Sequence, residues 1–317
     1  MAIKSIGIIG VGGVGGYFGG KLCHYLRGDK DIKIYFIGRG EHLRQIKKNG
    51  LQLSTQTDGD LRCYPELATD NFKDVPLLDL VLVSVKSYDL VNVIKSVSGN
   101  LHSESIVLPL LNGIDIYERI RSINKSVVIF PACVYVGTHI EKSGYVTQQG
   151  GACKILFTAD SYVENRSVIS ELITIFKTCN INHEKLSDVY PEIWKKYIFI
   201  SGFGLVTSAY NKTLGQVMES ETLSAEVLAV MQEIYKLSQD SNIGLEENIV
   251  KLSFEKGRDF PYDTKTSFQR DYENENKPDE RDLFDGVILR LGEKHNIDVS
   301  VTKNLFSIIA ESKPQAI

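Results

Sequence analysis

Ile6-Gly7-Ile8-Ile9-Gly10-Val11-Gly12-Gly13-Val14-Gly15 begins as an apolar run and ends in a cluster of glycines. The run predicts a short buried strand, and Gly10, Gly12 and Gly15 fit the spacing G-x-G-x-x-G. Standing after a strand and before a helical pattern, that spacing acquires a physical meaning. Gly10 allows a tight turn, Gly12 lets the backbone approach a pyrophosphate, and Gly15 lets helix and strand pack closely. The first N–H groups of the helix then face the phosphates. Gly10, Gly12, Gly13, Val14 and Gly15 are therefore the expected cofactor contacts; the alternative is a glycine-rich turn that holds nothing. Lys4, the apolar run and the small residues also resemble a secretory leader, but seven of the eleven positions from Gly10 to Gly20 are glycine. That density makes poor helix and argues for strand and turn.

Outward from this loop, apolar runs alternate with helical patterns. A helix is expected to about Arg27, strands at Ile32–Ile37, Leu78–Val85, Ser105–Leu111 and Val127–Val136, and a helix across Glu41–Lys48. Such alternation is the pattern of a parallel sheet covered on both faces. Tyr145–Gln148 and Lys154–Thr158 flank Gly150-Gly151 and predict a hairpin. From about Asp188 the pattern turns helical, at Ile193–Tyr210, Leu223–Gln239, Leu245–Glu255, Arg281–His295 and Val301–Ala310. The expected architecture is a Rossmann-type parallel α/β domain over 1–187 followed by an all-helical domain over 188–317.

Composition narrows the class. At 317 residues the chain is long enough for two domains of ~100–200 residues. With 43% hydrophobic and 24% charged residues it reads as globular, and its net charge of −4 disfavours nucleic acid as a partner. Residues 1–187 hold 21 Lys and Arg against 18 Asp and Glu, the remainder 15 against 22, which suits an anionic cofactor on the first domain. Five scattered cysteines without a C-x-x-C pair suit reduced thiols, and the histidine spacing indicates no metal. No apolar run reaches ~18 residues, so no membrane helix is expected. Together these place the chain in the cytoplasm.

The second strand bears on the cofactor. It ends Phe36-Ile37-Gly38-Arg39-Gly40, with no carboxylate for a ribose 2′-hydroxyl. A guanidinium at that place forks onto a 2′-phosphate, so Arg39 favours NADPH over NADH. The alternative is a solvated arginine, with Glu41 a ready partner. Lys86 ends the strand at Leu80–Val85, where it can meet cofactor phosphate or substrate. Asn112, beside Gly113, offers a donor and an acceptor near the nicotinamide, or is simply a turn residue. Further on, Trp194-Lys195-Lys196 stands near the start of a helix apolar nearly all round. A lysine there is either a proton donor in a cleft between domains or the partner of Glu192. Ser267 can bind a carboxylate or cap a helix, and Glu280 can partner a lysine or favour a helix start.

These residues, in this order, resemble the ketopantoate reductase family over nearly the whole chain. The motifs are the glycine loop, Gly38-Arg39, Val85-Lys86, Leu111-Asn112-Gly113, Gly137-Thr138-His139, Trp194-x-Lys196, Ser267-Phe268-x-x-Asp271 and Glu280 to Gly286. The resemblance implies that Lys196 is the general acid and that Glu280 orients or binds the substrate. It implies that Ser267 contacts the substrate carboxylate and Asn112 the substrate or nicotinamide. Arg39 and the glycines then hold NADPH, and Lys86 lines the cleft, which closes to bring Lys196 and Glu280 over the cofactor. The implied reaction is NADPH-dependent reduction of a 2-keto acid, ketopantoate to pantoate in coenzyme A biosynthesis. The expected partner is that small molecule, with a homodimer admitted. The alternatives are a reductase of another 2-keto or 3-hydroxy acid and an NADPH-binding sensor without turnover. The chain also departs from the resemblance. Four and eight positions after the lysine, where asparagines are implied, stand Ile200 and Gly204, and the segment from Ser267 to Glu280 is one residue longer. The identity of the keto acid therefore does not follow.

Overall fold

Thirteen strands and twelve α-helices are found among residues 3–160, 166–274 and 278–312, which the computed structural model describes. They fall into two compact units: residues up to Asn112 with Ile116–Val189, and Gly113–Asp115 with the residues from Tyr190 on. No helix among the described residues is long and apolar enough to cross a membrane.

The first unit carries β1 (Ser5–Ile9), α1 (Gly13–Tyr25), β2 (Lys33–Ile37), α2 (Gly40–Asn49), β3 (Leu51–Thr55), β4 (Gly59–Cys63), β5 (Leu67–Thr69), β6 (Leu78–Val83), α3 (Leu90–Val97) and β7 (Leu101–Pro109). There follow α4 (Ile116–Ile123), β8 (Val128–Ile129), β9 (Ala132–Tyr135), β10 (Thr138–Lys142), β11 (Tyr145–Gln148), β12 (Lys154–Phe157), α5 (Arg166–Thr178) and β13 (Asn182–Lys185). Six strands pair in the order β5-β2-β1-β6-β7-β8, all parallel. Leu80, Val81, Leu82 and Val83 are all fully buried, as a strand covered on both faces requires. The chain runs outward from β1 to β2 and β5, then crosses to β6 on the other side of β1. The strand order therefore reverses at β1, and the crevice beyond the carboxyl ends of β1 and β6 is the place where such sheets bind ligands.

Two expectations are corrected here. Val127–Val136 is not one strand: Pro131, which has no N–H to give a ladder, separates β8 in the large sheet from β9 in a small one. Tyr145–Gln148 and Lys154–Thr158 do not form a hairpin. β11 turns back on β10 through Gly144 (φ +80°) and pairs on its other side with β3, whereas β12 pairs with β9 and β13. Gly150 and Gly151, at φ +74° and +77°, redirect the chain, and their neighbourhood bonds to Gly137 instead. Strands β3, β4, β5, β10 and β13 have no counterpart in the sequence reading. β13 reads Asn-His-Glu-Lys, with no apolar alternation to betray it.

Helix α1 lies between two sheets. Its glycines at 15 and 19 face the large sheet, where a Cβ on Gly19 would stand 2.9 Å from Ile8. Gly16 and Gly20 face the other way, against Val146 of β11 and Leu53 of β3, at 2.7 and 2.9 Å for an added Cβ. The four-stranded sheet β10-β11-β3-β4 thus covers the side of α1 that faces away from the large sheet. Lys21 on this helix is 1% exposed and its ammonium lies 2.7 Å from Asp58 in the β3–β4 turn. Tyr25, Thr57 and Asn180 also donate to the Asp58 carboxylate, at 2.8, 2.8 and 2.6 Å.

The second unit is helical: α6 (Tyr190–Tyr210), α7 (Leu214–Glu219), α8 (Glu221–Asp240), α9 (Ile249–Glu255), α10 (Ser267–Tyr272), a π-helical turn over Asp282–Gly286, α11 (Val287–His295) and α12 (Ser300–Ser312). Pro191 sits in the first turn of α6, where its missing N–H costs nothing. The middle of α6 is buried all round, and Gly202 admits Met231 of α8, 2.7 Å from where a Cβ would lie. Buried Glu233 of α8 accepts the Val301 and Thr302 N–H groups at 2.8 and 3.0 Å and so caps α12 with an anion. Helices α7 and α10, each of six residues, fall below the length at which periodicity can be read.

Candidate active site

The glycine loop stands at the sheet's switch point. Gly10 has φ +88°, and its N–H donates to the Ile37 carbonyl of β2 at 2.9 Å. Ser84, just after β6, donates its hydroxyl to the Gly10 carbonyl at 2.7 Å. A Cβ on Gly15 would lie 2.0 Å from that carbonyl oxygen and 2.3 Å from Ser84 Oγ. Only glycine lets α1 start so close to the strand. Gly12 differs: a Cβ there would meet nothing within 4 Å, and as N-cap of α1 it leaves the first N–H groups without a side-chain partner. Open space beside an uncapped helix start is what a pyrophosphate requires, so the residues present fit a dinucleotide. Val14 follows in the first turn. Gly13 packs on Thr138 of β10, which gives Gly137-Thr138-His139 a structural role in backing the loop.

His42 went unnoticed in the sequence. In α2, its Nδ1 accepts the Gly144 N–H at 3.0 Å, which places the ring proton on Nε2, and burial pushes its pKa down. The Val11 backbone lies against the same ring. A neutral imidazole therefore props the glycine loop against the β10–β11 turn, and no motif announces it.

Arg39 is the N-cap residue of α2 and pairs with Asp89, in the loop after β6, through both guanidinium Nη atoms. Glu41, its expected competitor, instead accepts from Arg44 and Gln45, at 2.7 Å each. Lys86, half-buried, leads from β6 into the short 3₁₀ turn Ser87–Asp89. Asn112 is half-buried in the irregular segment after β7, and Gly113 beside it has φ +120°.

In the helical unit, Lys196 is half-buried on α6, directly after Trp194-Lys195. Lys195 is 49% exposed and has the Glu192 carboxylate 3.6 Å away. Ser267 is the exposed first residue of α10, but Thr266 caps that helix, accepting the Gln269 N–H at 3.2 Å. The serine hydroxyl is therefore not committed to capping. Glu280 is 8% exposed and leads into the π-helical turn, its carbonyl accepting the Leu283 N–H at 2.9 Å. Next to it, Arg281 and Asp279 form a buried fork with two contacts of 2.8 Å. The Tyr197 hydroxyl donates to the Leu283 carbonyl of that turn at 2.7 Å. Gly204 packs on Phe268 and Phe284, whose rings stack at 4.6 Å.

Asp285, inside the π-helical turn, is fully buried with neither carboxylate oxygen in a well-formed hydrogen bond. Burial pushes its pKa up to about 7, although the Gly286 N–H and Arg281 pull the other way. The native state thus binds a proton that the unfolded chain releases near pH 4, so stability falls as pH rises from 4 towards 7. Asp285→Asn is expected to remove that fall. Relative to the parent it should gain on the order of 3 kcal/mol between pH 4 and pH 8. Urea melts at the two pH values check this, and a gain that is the same at both would refute it.

A glycine cradle at the switch point of a parallel sheet defines a dinucleotide-binding protein, and the helical unit supplies a second set of polar groups. Residues 6–158 match the family model described as ketopantoate reductase PanE/ApbA, and residues 188–313 that of its C-terminal part. The chain belongs to the ketopantoate reductase family, a family of NAD(P)-dependent oxidoreductases. It is 25% identical over 301 residues to an uncharacterized oxidoreductase, YkpB, of Bacillus subtilis (strain 168), covering 95% of this chain and 96% of that one. The crystal structure of a PanE/ApbA family ketopantoate reductase from Ralstonia eutropha JMP134 superposes with TM-score 0.87 at 24% identity, over 98% of each chain. D-mandelate dehydrogenase, in a ternary complex with NADH and anilino(oxo)acetate, gives 0.82 at 19% identity, over 98% of each chain.

Proposed function

We propose that this chain reduces a 2-keto acid with NADPH, and that 2-dehydropantoate is the first substrate to test. The observation that carries the reading is the state of Lys196. It is half-buried on an apolar helix, while the lysine beside it is exposed next to Glu192. An ammonium held in such surroundings donates a proton to a carbonyl oxygen as negative charge develops there. When bound, the nicotinamide supplies the hydride. The chain's own part is to hold the phosphates at the Gly12 gap and the start of α1, to meet a 2′-phosphate with Arg39, and to support the cofactor with Lys86 and Asn112. Ser267 receives the substrate carboxylate, and Glu280 orients the substrate.

A second reading concerns the substrate's tail. Position 204 is a glycine under the Phe268–Phe284 stack, and Ile200 lies one turn before it on α6. Neither residue offers a hydrogen bond to a hydroxyl, which favours a keto acid with an apolar or aromatic tail. A panel answers both readings. NADPH oxidation is followed with ketopantoate, an aliphatic keto acid and benzoylformate, and repeated with NADH. Ketopantoate is expected to give the highest kcat/KM, and NADPH to exceed NADH. A higher value for an apolar keto acid would select the second reading. Absorbance unchanged with every acid, despite cofactor binding, would reject turnover altogether.

A further inference from the structure

The geometry points to Asp89 as the residue that sets how strongly this chain prefers NADPH over NADH, by holding the guanidinium that a 2′-phosphate would take. The inference rests on the dinucleotide reading above. Strands β2 and β6 flank β1 in the sheet. Arg39 follows β2 and Asp89 follows β6, so their ion pair crosses the carboxyl end of β1, where the glycine loop begins.

The local geometry turns each partner toward the other. Asp89 closes the 3₁₀ turn Ser87–Asp89, which runs straight into α3 with a helical backbone, and its side chain accepts no N–H of that helix. Its carboxylate is turned to Arg39 instead, with the two oxygens facing the two Nη atoms. Arg39 likewise stands at the start of α2 with its side chain extended across the strand ends and 75% exposed. The acid closest to it in sequence, Glu41, is engaged by Arg44 and Gln45.

The physical consequence is a competition. One edge of a guanidinium donates to one bidentate anion, and Asp89 holds the Nη1–Nη2 edge. A 2′-phosphate must displace the carboxylate from that edge or take the remaining Nε side, and in either case it sits beside a negative charge. A 2′-hydroxyl needs neither, and the carboxylate can accept its hydrogen bond. An ion pair this exposed costs little to break, so Asp89 tunes the preference without abolishing NADPH binding. The acid that commonly ends β2 in NAD-binding sheets is, in effect, delivered from the loop after β6.

Isothermal titration of the full-length chain with NADPH and with NADH tests this. The forms compared are the parent, Asp89→Asn, Arg39→Gln and the double variant, each checked by thermal melting. Asp89→Asn is expected to lower the ratio Kd(NADPH)/Kd(NADH) by roughly three- to ten-fold. Arg39→Gln is expected to raise the ratio, and in its background the Asp89 change should move the ratio by less than half as much. A ratio that stays constant or rises in Asp89→Asn overturns the proposal. So does an equal shift with and without Arg39, because the carboxylate would then act on the phosphate directly. A parent chain that binds neither dinucleotide refutes the underlying reading as well, whereas one that binds both with an unmoved ratio refutes this inference alone.

Discussion

Lys196→Ala is expected to lower kcat by about 10²- to 10⁴-fold while leaving the NADPH dissociation constant unchanged. The methyl group that remains can neither stabilise nor protonate an oxyanion, whereas the phosphate and ribose contacts proposed above all lie in the first unit. The adjacent Lys195→Ala is the control. Lys195 is 49% exposed with Glu192 alongside, so its loss should cost less than a factor of two in turnover. Stopped-flow absorbance at saturating keto acid separates the two. Near-full turnover in Lys196→Ala would remove the lysine from the chemistry and require another proton donor.

The second large effect is on stability. Asp58→Ala leaves the ammonium of Lys21, 1% exposed, without its counter-charge. Breaking a buried pair from one side costs about 3–5 kcal/mol, or roughly 6–20 °C in melting temperature. Replacing both partners with apolar residues, Lys21→Met with Asp58→Leu, should recover most of it, because the desolvation cost disappears with the charges. The pair also predicts an acid limb. Burial raises the Asp58 pKa, but the hydrogen bonds from Lys21, Asn180, Thr57 and Tyr25 outweigh it and hold the carboxyl below the usual range. Its contribution is therefore present above about pH 4 and lost as pH falls through the folded-state value. Asp58→Ala should show a flatter acid limb than the parent. A melting temperature within 2 °C of the parent would show that the pair contributes no net stability, since ~1 kcal/mol corresponds to about that shift.

Much of this was legible beforehand because it is periodic or punctuated. The buried runs inside β1, β2, β6 and β7 are short and apolar, whereas the polar first half of β7, residues 101–104, carries no such signal. The glycine loop is recognisable because Gly10, Gly12 and Gly15 each answer a different steric demand. The long helices α6 and α8 were read to within three residues at each end. What escaped was short or polar. β13 has no apolar alternation, α7 and α10 are each less than two turns long, and Pro131 split an apolar run that reads as continuous. In the site, Arg39 was visible from its place after a strand, but its partner was not. Asp89 lies 50 positions away, and only the strand order brings the two together. His42 and Asp285 carry no signal at all, because what distinguishes them is burial.

The first helix bears on any attempt to rebuild this chain's cofactor loop. Where the outer flank of such a helix faces water, side chains of any size are tolerated there. Here the flank is roofed by a second sheet, and positions 16 and 20 have no room for even a methyl group unless Val146 and Leu53 move. A graft taken from a donor with an open flank would carry alanines or larger residues into that roof and tilt the helix it was meant to supply. Swaps of nucleotide specificity in this scaffold should stop at the turn and leave the helix native.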